Sequence, residues 1–223
     1  MYSRPVFDPK TVIGNTFAEL EVLHELCSSG EAALNQQLEE LHGKMDEDIA
    51  GLDAYGEEGY LSDINDHYVM VSLSMPMYQN YAYLTLGFAL FEKCLNDVSM
   101  QIRDDRNFPL SLKDIHGQGI ARAKVYLSKV CGITSPFQTA AWSRALLLAE
   151  IRNAISHRGG FIDHKPDDIR SLYTRLAKFP EIELDHVWDV ADQPDRQIGF
   201  DNSFVVVSLK SYTDVLQSLW KAL

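Results

Sequence analysis

The stretch FQTAAWSRALLLAEIRNAISHRGG, residues 137–160, decides the fold because it runs from Phe137 to His157 without a glycine or a proline. Ser135 offers a helix cap and Pro136 stands at the first helical position, where its missing N–H does no harm. The two glycines at the end of the stretch are typical of a helix C-terminus. The sequence therefore predicts one long helix here.

Three further helices are predicted from apolar residues that recur three or four positions apart. The first begins near Thr16 with Asn15 as its cap, and Gly30 is a candidate interruption. A breaker cluster at Tyr55–Gly59 precedes the second, over 64–102 with a candidate kink at Pro76, and the third covers 115–130. The prediction is a mainly α protein, an antiparallel four-helix-type bundle.

The sequence after Phe161 changes in character and predicts a small mixed α/β appendage. It contains a short helical segment at 167–178, strand-like runs at Ile182–Asp185 and Phe204–Val207, a turn at 192–195 and a last helix over 209–223. We therefore expect a helical bundle at 1–165 and a C-terminal appendage at 166–223 packed on it.

Composition indicates a soluble, cytoplasmic protein without metal or cofactor. The hydrophobic fraction of 46% and charged fraction of 23% are ordinary for a folded domain. The start of the chain has no signal-peptide pattern, and the apolar run Leu84–Phe91 is too short to cross a membrane. Three widely separated cysteines, Cys27, Cys94 and Cys131, favour neither disulfides nor a zinc site.

The net charge of −12 lies almost entirely between Thr16 and Asp63, where 13 acidic residues accompany the single Lys44. An acidic face of this kind is either simply solvated or regulatory, in which case it confines RNA to one cleft or docks a basic partner such as a neutralising protein of antitoxin type. The remainder of the chain carries 19 residues of each sign, so a local phosphate site remains allowed.

The chemistry-bearing residues of the chain lie at the end of the long helix. Arg152 is followed at once by Asn153 and, after three further residues, by His157. Asn153 and His157 are four apart and share a helix face, while Arg152 lies on an adjoining flank. A guanidinium for a phosphate, an imidazole for proton transfer and an amide for orientation are the groups needed to cleave RNA without a metal.

The pattern resembles the HEPN superfamily, in which the last long helix of a bundle carries Arg, a polar residue, three variable residues and His. Arg152, Asn153 and His157 match that motif position by position. The resemblance covers Thr16–Gly160, and its flanking parts, 81–92 and 119–132, are weakly specific.

The resemblance implies a homodimer whose two motif helices meet at a two-fold axis, so that both Arg–His pairs line one cleft. It implies an endoribonuclease that acts as a toxin or antiviral effector. In that cleft His157 would transfer protons, Arg152 would stabilise charge on the phosphoryl oxygens and Asn153 would fix the geometry.

Each of these residues also has an ordinary structural explanation. Arg152 can belong to an ion-pair network, Asn153 can bind backbone and His157 can cap its own helix. Glu92 and Arg158 are supporting candidates only, Glu92 as a partner of Arg152 or His157 and Arg158 as a phosphate contact. The alternative function is a non-catalytic HEPN module that dimerises and binds a nucleotide or a protein.

Overall fold

The computed structural model describes residues 8–185 and 195–223, apart from the side chain of Asp185. The chain is mainly helical, with a small three-stranded antiparallel sheet near its C-terminus, and this confirms the coarse fold prediction. In chain order the elements are α1 (Pro9–Ile49), α2 (Ala54–Val69), a π-helical segment (Met70–Ser74), α3 (Met75–Arg106), α4 (Gly119–Lys129), α5 (Ala140–Arg158), β1 (Phe161–Asp163), α6 (Leu172–Leu176), β2 (Ile182–Asp185), β3 (Asp195–Phe200) and α7 (Asn202–Ala222).

One hydrophobic core joins the first part of α1 with α3, α4, α5 and α7. Helix α3 lies centrally because its buried residues recur three or four apart and form a continuous apolar stripe. They include Tyr81, Leu84, Phe88, Phe91, Leu95, Val98 and Ile102. The stripe places Phe88 and Phe91 against Tyr212 of α7.

The acidic part of the chain lies largely outside this core. Beyond Cys27 the only buried residue of α1 is Leu41, and the described residues of α2 include no buried side chain. The acidic side chains of this region therefore face solvent, as both explanations of the acidic face require.

The sheet has the strand order β1–β3–β2, and both pairings are antiparallel. Phe161 pairs with Gln197 on one side of β3, and Leu184 pairs with Ile198 on the other. Strand β3 is therefore central, and β1 leads directly out of the end of α5.

Helix α1 begins earlier than predicted and is not interrupted. Asp8, not Asn15, caps the helix by accepting a hydrogen bond from the Lys10 amide, and Thr16 is buried within it. Gly30 lies within the helix and faces Tyr83 and Gln79 of α3, which leave no room for a side chain at this position. A glycine predicted to break the helix instead allows two helices to approach closely.

The prediction that Tyr55–Gly59 breaks the helical structure is also wrong, since these residues lie inside α2. The chain turns just before it, and Asp53 caps the new helix through a hydrogen bond from the Gly56 amide. Pro76 lies in the first turn of α3, directly after the π-helical segment, where proline is tolerated.

The ends of α4 and α5 differ from prediction by a few residues. Helix α4 starts at Gly119. Ser135 and Pro136 belong to a short 3₁₀ turn, and the cap of α5 is Thr139, whose hydroxyl accepts a hydrogen bond from the Trp142 amide.

The C-terminal region combines strands with a core helix. Strand β2 is confirmed, but the strand predicted at Phe204–Val207 is wrong because this run lies in α7, capped by Asp201. Phe204 and Val205 are buried in the hydrophobic core, and burial overrides the strand propensity of the run. The short helix is restricted to Leu172–Leu176, and most of the turn predicted at 192–195 lies outside the described residues.

Because α7 packs on α1, α3 and α5, the region 166–223 contributes to the hydrophobic core as well as to the sheet. The boundary between residues 165 and 166 stays a prediction. None of the helices in the described parts of the chain is both long and apolar enough to cross a membrane.

Candidate functional site

The end of α5 is built from two glycines in the left-handed region, as the sequence predicts. Gly159 has φ 62° and Gly160 has φ 89°. The Gly159 amide donates to the Ile155 carbonyl at 3.1 Å, and the Gly160 amide donates to the Ala154 carbonyl at 3.1 Å. These bonds close the helix two residues after His157 and turn the chain into β1.

Tyr81 of α3 lies directly against this turn. A Cβ at Gly160 would overlap the Tyr81 hydroxyl, which donates a hydrogen bond to the Ile198 carbonyl of β3. Burial raises the pKa of Tyr81 well above its ordinary value, so this hydroxyl stays a donor across the physiological range. Helix α3, the end of α5 and β3 therefore meet at one point.

Gly160→Ala is expected to destabilise the fold by about 2 kcal/mol, because a side chain there is strained at positive φ and displaces Tyr81. Urea denaturation measures this loss. Gly43→Ala is the matched control, since Gly43 lies within α1 with open space around it, and this change should stabilise by up to about 1 kcal/mol. Equal stability of Gly160→Ala and wild type would contradict the described turn.

Arg152 points from α5 toward α3 and is about one quarter exposed. Its Nη2 donates to Glu92 Oε2 at 3.1 Å, and its guanidinium lies 4.5 Å from the centre of the Phe88 ring. The structure therefore brings together Arg152 and Glu92, one of the two partnerships that the sequence left open for Glu92. Behind them burial raises the pKa of Tyr212, while the positive charge of Arg152 acts in the opposite direction.

Asn153 and His157 are exposed and line the same cavity, of about 470 Å³, on the side of α5 that faces β1 and α6. Arg158, Lys165 and Ser171 contribute further polar groups to its wall. Among the described residues that line the cavity, Arg152 is absent. A single protomer therefore presents the amide and imidazole in one cavity and the guanidinium at the adjoining flank, as the helix geometry predicts.

Arg158 is occupied by acidic partners. Its Nη2 donates to Asp163 Oδ1 at 2.8 Å and to Asp195 Oδ2 at 3.0 Å, so it links the end of α5 with β1 and β3. The hydrogen bond to Asp163 raises the pKa of Arg158, and the charges of both carboxylates act in the same direction. This environment fits a structural link better than a free phosphate contact.

The opposite side of the α5 end forms an apolar groove with α3, of about 510 Å³. Leu86 is 48% exposed and Tyr78 is 60% exposed, and Ile155 and Ser156 of α5 complete the groove beside them. The end of α5 thus has a polar cavity on one side and exposed apolar surface on the other.

Three residues that shape this region could not be identified from the sequence. Tyr81 and Phe88 read as ordinary members of an apolar stripe, and Gln197 reads as a polar residue in a short strand. Their positions depend on contacts between elements far apart in the chain, which periodicity does not report.

Metal-ligand chemistry is not evident in the residues that the structure describes, where no group of three or more His, Cys, Asp or Glu side chains is positioned to hold an ion. Comparison of the chain with family models, with curated proteins and with solved structures finds no match.

Proposed function

We propose that the chain is a metal-independent endoribonuclease of HEPN type that acts as a homodimer. The observation that supports this most is the placement of Asn153 and His157 in one polar cavity, with Arg152 at the adjoining flank of the same helix. The residues that carry acid–base and phosphate chemistry are thus accessible at the same end of α5.

The proposed dimer brings two copies of this helix end together across a two-fold axis. The apolar groove, which lies across the end of α5 from the polar cavity, supports association of two copies, because exposed Leu86 and Tyr78 are the kind of surface that an interface buries. In an isologous contact the same surface serves both copies, and a contact centred on the two α5 ends would bring an Arg152 and a His157 from each protomer to a shared cleft.

In the proposed reaction a ribose 2′-oxygen attacks the adjacent phosphorus while the bond from phosphorus to the 5′-oxygen breaks. One His157 takes the proton from the 2′-hydroxyl, and the His157 of the second copy gives a proton to the leaving 5′-oxygen. The products are a 2′,3′-cyclic phosphate and a 5′-hydroxyl, so no water or metal is consumed in this step.

Arg152 stabilises the charge on the phosphoryl oxygens in this proposal. Its Nη2 is held by Glu92, which fixes the plane of the guanidinium over Phe88, and a guanidinium has further donors for a phosphate. Glu92 therefore acts on the substrate through Arg152. Asn153 orients His157 or the bound phosphate from the same helix face.

We place the activity in a cytoplasmic toxin or antiviral effector, with RNA as substrate and a neutralising protein as a further partner. The buried free thiols of Cys27, Cys94 and Cys131 agree with a reducing compartment. Burial raises the pKa of each of these thiols to about 11, so the thiols have no role as nucleophiles near neutral pH.

One observation favours the non-catalytic alternative, namely the engagement of Arg152 by Glu92 and Phe88. A residue held in this way can serve the fold alone, in a module that dimerises and binds a nucleotide or protein. If the protein is catalytic, replacement of Arg152 should slow RNA cleavage. If Arg152 is only structural, its replacement should lower the stability of the fold instead.

Arg152→Lys is expected to reduce RNA cleavage about 10- to 100-fold, because lysine keeps the charge but loses the planar set of donors. Cleavage of an end-labelled, mixed-sequence RNA measures the rate. Arg106→Lys, at an exposed arginine near the end of α3, is the matched control. If Arg152→Lys unfolds more easily than wild type but cleaves equally fast, Arg152 is structural and the catalytic proposal loses its phosphate-binding group.

A further inference from the structure

The carbonyl groups at the end of α5 have their partners in β3. Helix termini leave backbone carbonyls unpaired, and buried ones must find donors elsewhere. The Gly159 carbonyl accepts from Gln197 Nε2 at 3.1 Å, and the Gly160 carbonyl accepts from the Ile198 amide at 3.0 Å. Two successive residues of one strand therefore hold two successive residues of the helix end.

Strand β3 is itself fixed to α3. Asn80 Nδ2 donates to the Phe200 carbonyl at 3.0 Å, and the Tyr81 hydroxyl donates to the Ile198 carbonyl. The rings of Tyr81 and Phe200 also pack together, with centroids 5.5 Å apart. Helix α3 also carries Glu92, which holds Arg152. The same helix therefore positions Arg152 through Glu92 and the end of α5 through β3.

Gln197 is the unusual member of this arrangement. It is polar yet only 4% exposed, and its Nε2 donates to the Gly159 carbonyl rather than to solvent. Its backbone is already engaged by pairing with Phe161 of β1. Arg158 also reaches β3 at Asp195, but that ion pair is exposed, whereas Gln197 makes the buried side-chain contact, and a substitution can remove it.

We propose that Gln197 is a positioning residue for His157: by holding the Gly159 carbonyl it fixes the last turn of α5, and with it the direction of the imidazole in the cavity. This inference rests on the proposed function. In it the small sheet supports the active site from behind and is not a separate appendage. Tyr81 lies directly against Gly160 and also holds the Ile198 carbonyl, and Asn80 acts one step further away by holding β3 at Phe200.

The test is Gln197→Met, which keeps the size and flexibility of the side chain and removes the donor. Asn202→Leu is the matched control, since Asn202 is also a buried amide, donates to Glu31 Oε2 at 2.9 Å and is joined to α1 rather than to the helix end. Gln197→Asn, which keeps a donor but shortens its reach, serves as the second variant if Gln197→Met does not fold.

Two measurements are made on each variant. Amide hydrogen exchange is expected to be about tenfold faster at Gly159 and Gly160 in the Gln197 variant and unchanged there in Asn202→Leu. With a mixed-sequence RNA as probe, kcat is expected to fall about tenfold in the Gln197 variant with KM unchanged, while Asn202→Leu keeps both values.

Unchanged exchange at the helix end would overturn the proposed role of Gln197, whether or not the protein cleaves RNA. Faster exchange with an unchanged kcat would show that Gln197 supports the fold only, and would also overturn its proposed role in positioning His157. If wild type does not cleave RNA at all, the proposed function fails, and the exchange measurement still decides whether Gln197 holds the last turn.

Discussion

His157→Ala is expected to slow RNA cleavage by about 10²- to 10⁴-fold, because it removes both the general base and the general acid of the proposed reaction. The side chain of His157 is exposed on the last turn of α5. Its removal leaves no cavity and breaks no contact of the core, so the free energy of unfolding should change by less than about 0.5 kcal/mol. Rates are measured on an end-labelled RNA under single-turnover conditions.

His116→Ala is the matched control for that experiment. His116 is also exposed, but it lies in the segment before α4, away from the cavity at the end of α5. This variant should cleave at the wild-type rate. Equal cleavage by His157→Ala and His116→Ala would remove the acid–base group from the account.

Leu86→Glu is expected to dissociate the proposed dimer and abolish cleavage with it. Leu86 is 48% exposed in the apolar groove beside the motif helix. Because about half of Leu86 is already covered, loss of its burial costs about 1 kcal/mol in each copy, the carboxylate adds a desolvation cost of about 1–3 kcal/mol, and the two-fold axis applies both twice. Association should therefore weaken by at least about 10²-fold, which analytical ultracentrifugation over a concentration series measures.

Leu110→Glu provides the comparison, because Leu110 is 47% exposed but lies in the connection between α3 and α4. This variant should remain a dimer and cleave normally. If the Leu86→Glu protein is monomeric and still cleaves at the wild-type rate, one chain suffices for the chemistry. If it remains dimeric, the groove is not the interface.

The sequence was sufficient for the helical class and for the motif helix because those features are local. An uninterrupted run ending in two glycines specifies α5 and its C-terminus, whatever it packs against. The pairing of Arg152 with Glu92 could be suggested from the sequence only as one of several options. Whether Glu92 binds Arg152 or His157 depends on how α3 lies beside α5, which is a property of the packed core.

The wrong predictions share a physical cause. Gly30, Tyr55–Gly59 and Phe204–Val207 were assigned by local propensity, and in each case the surrounding structure decides otherwise. Gly30 permits close packing of α1 on α3. Phe204–Val207 is helical despite its strand propensity, because Phe204 and Val205 are buried in the hydrophobic core. The role of β3 in holding the end of α5 could not be predicted from local sequence patterns, since its contacts join residues about forty positions apart or more.

The most direct test of the central claim is the chemistry of the cut RNA ends, produced by purified wild-type protein in excess chelator. Metal-independent cleavage by 2′-hydroxyl attack predicts fragments that carry a 2′,3′-cyclic phosphate and a 5′-hydroxyl. Cleavage that stops when chelator is added, or that leaves a 3′-hydroxyl, would contradict the account, and so would intact RNA.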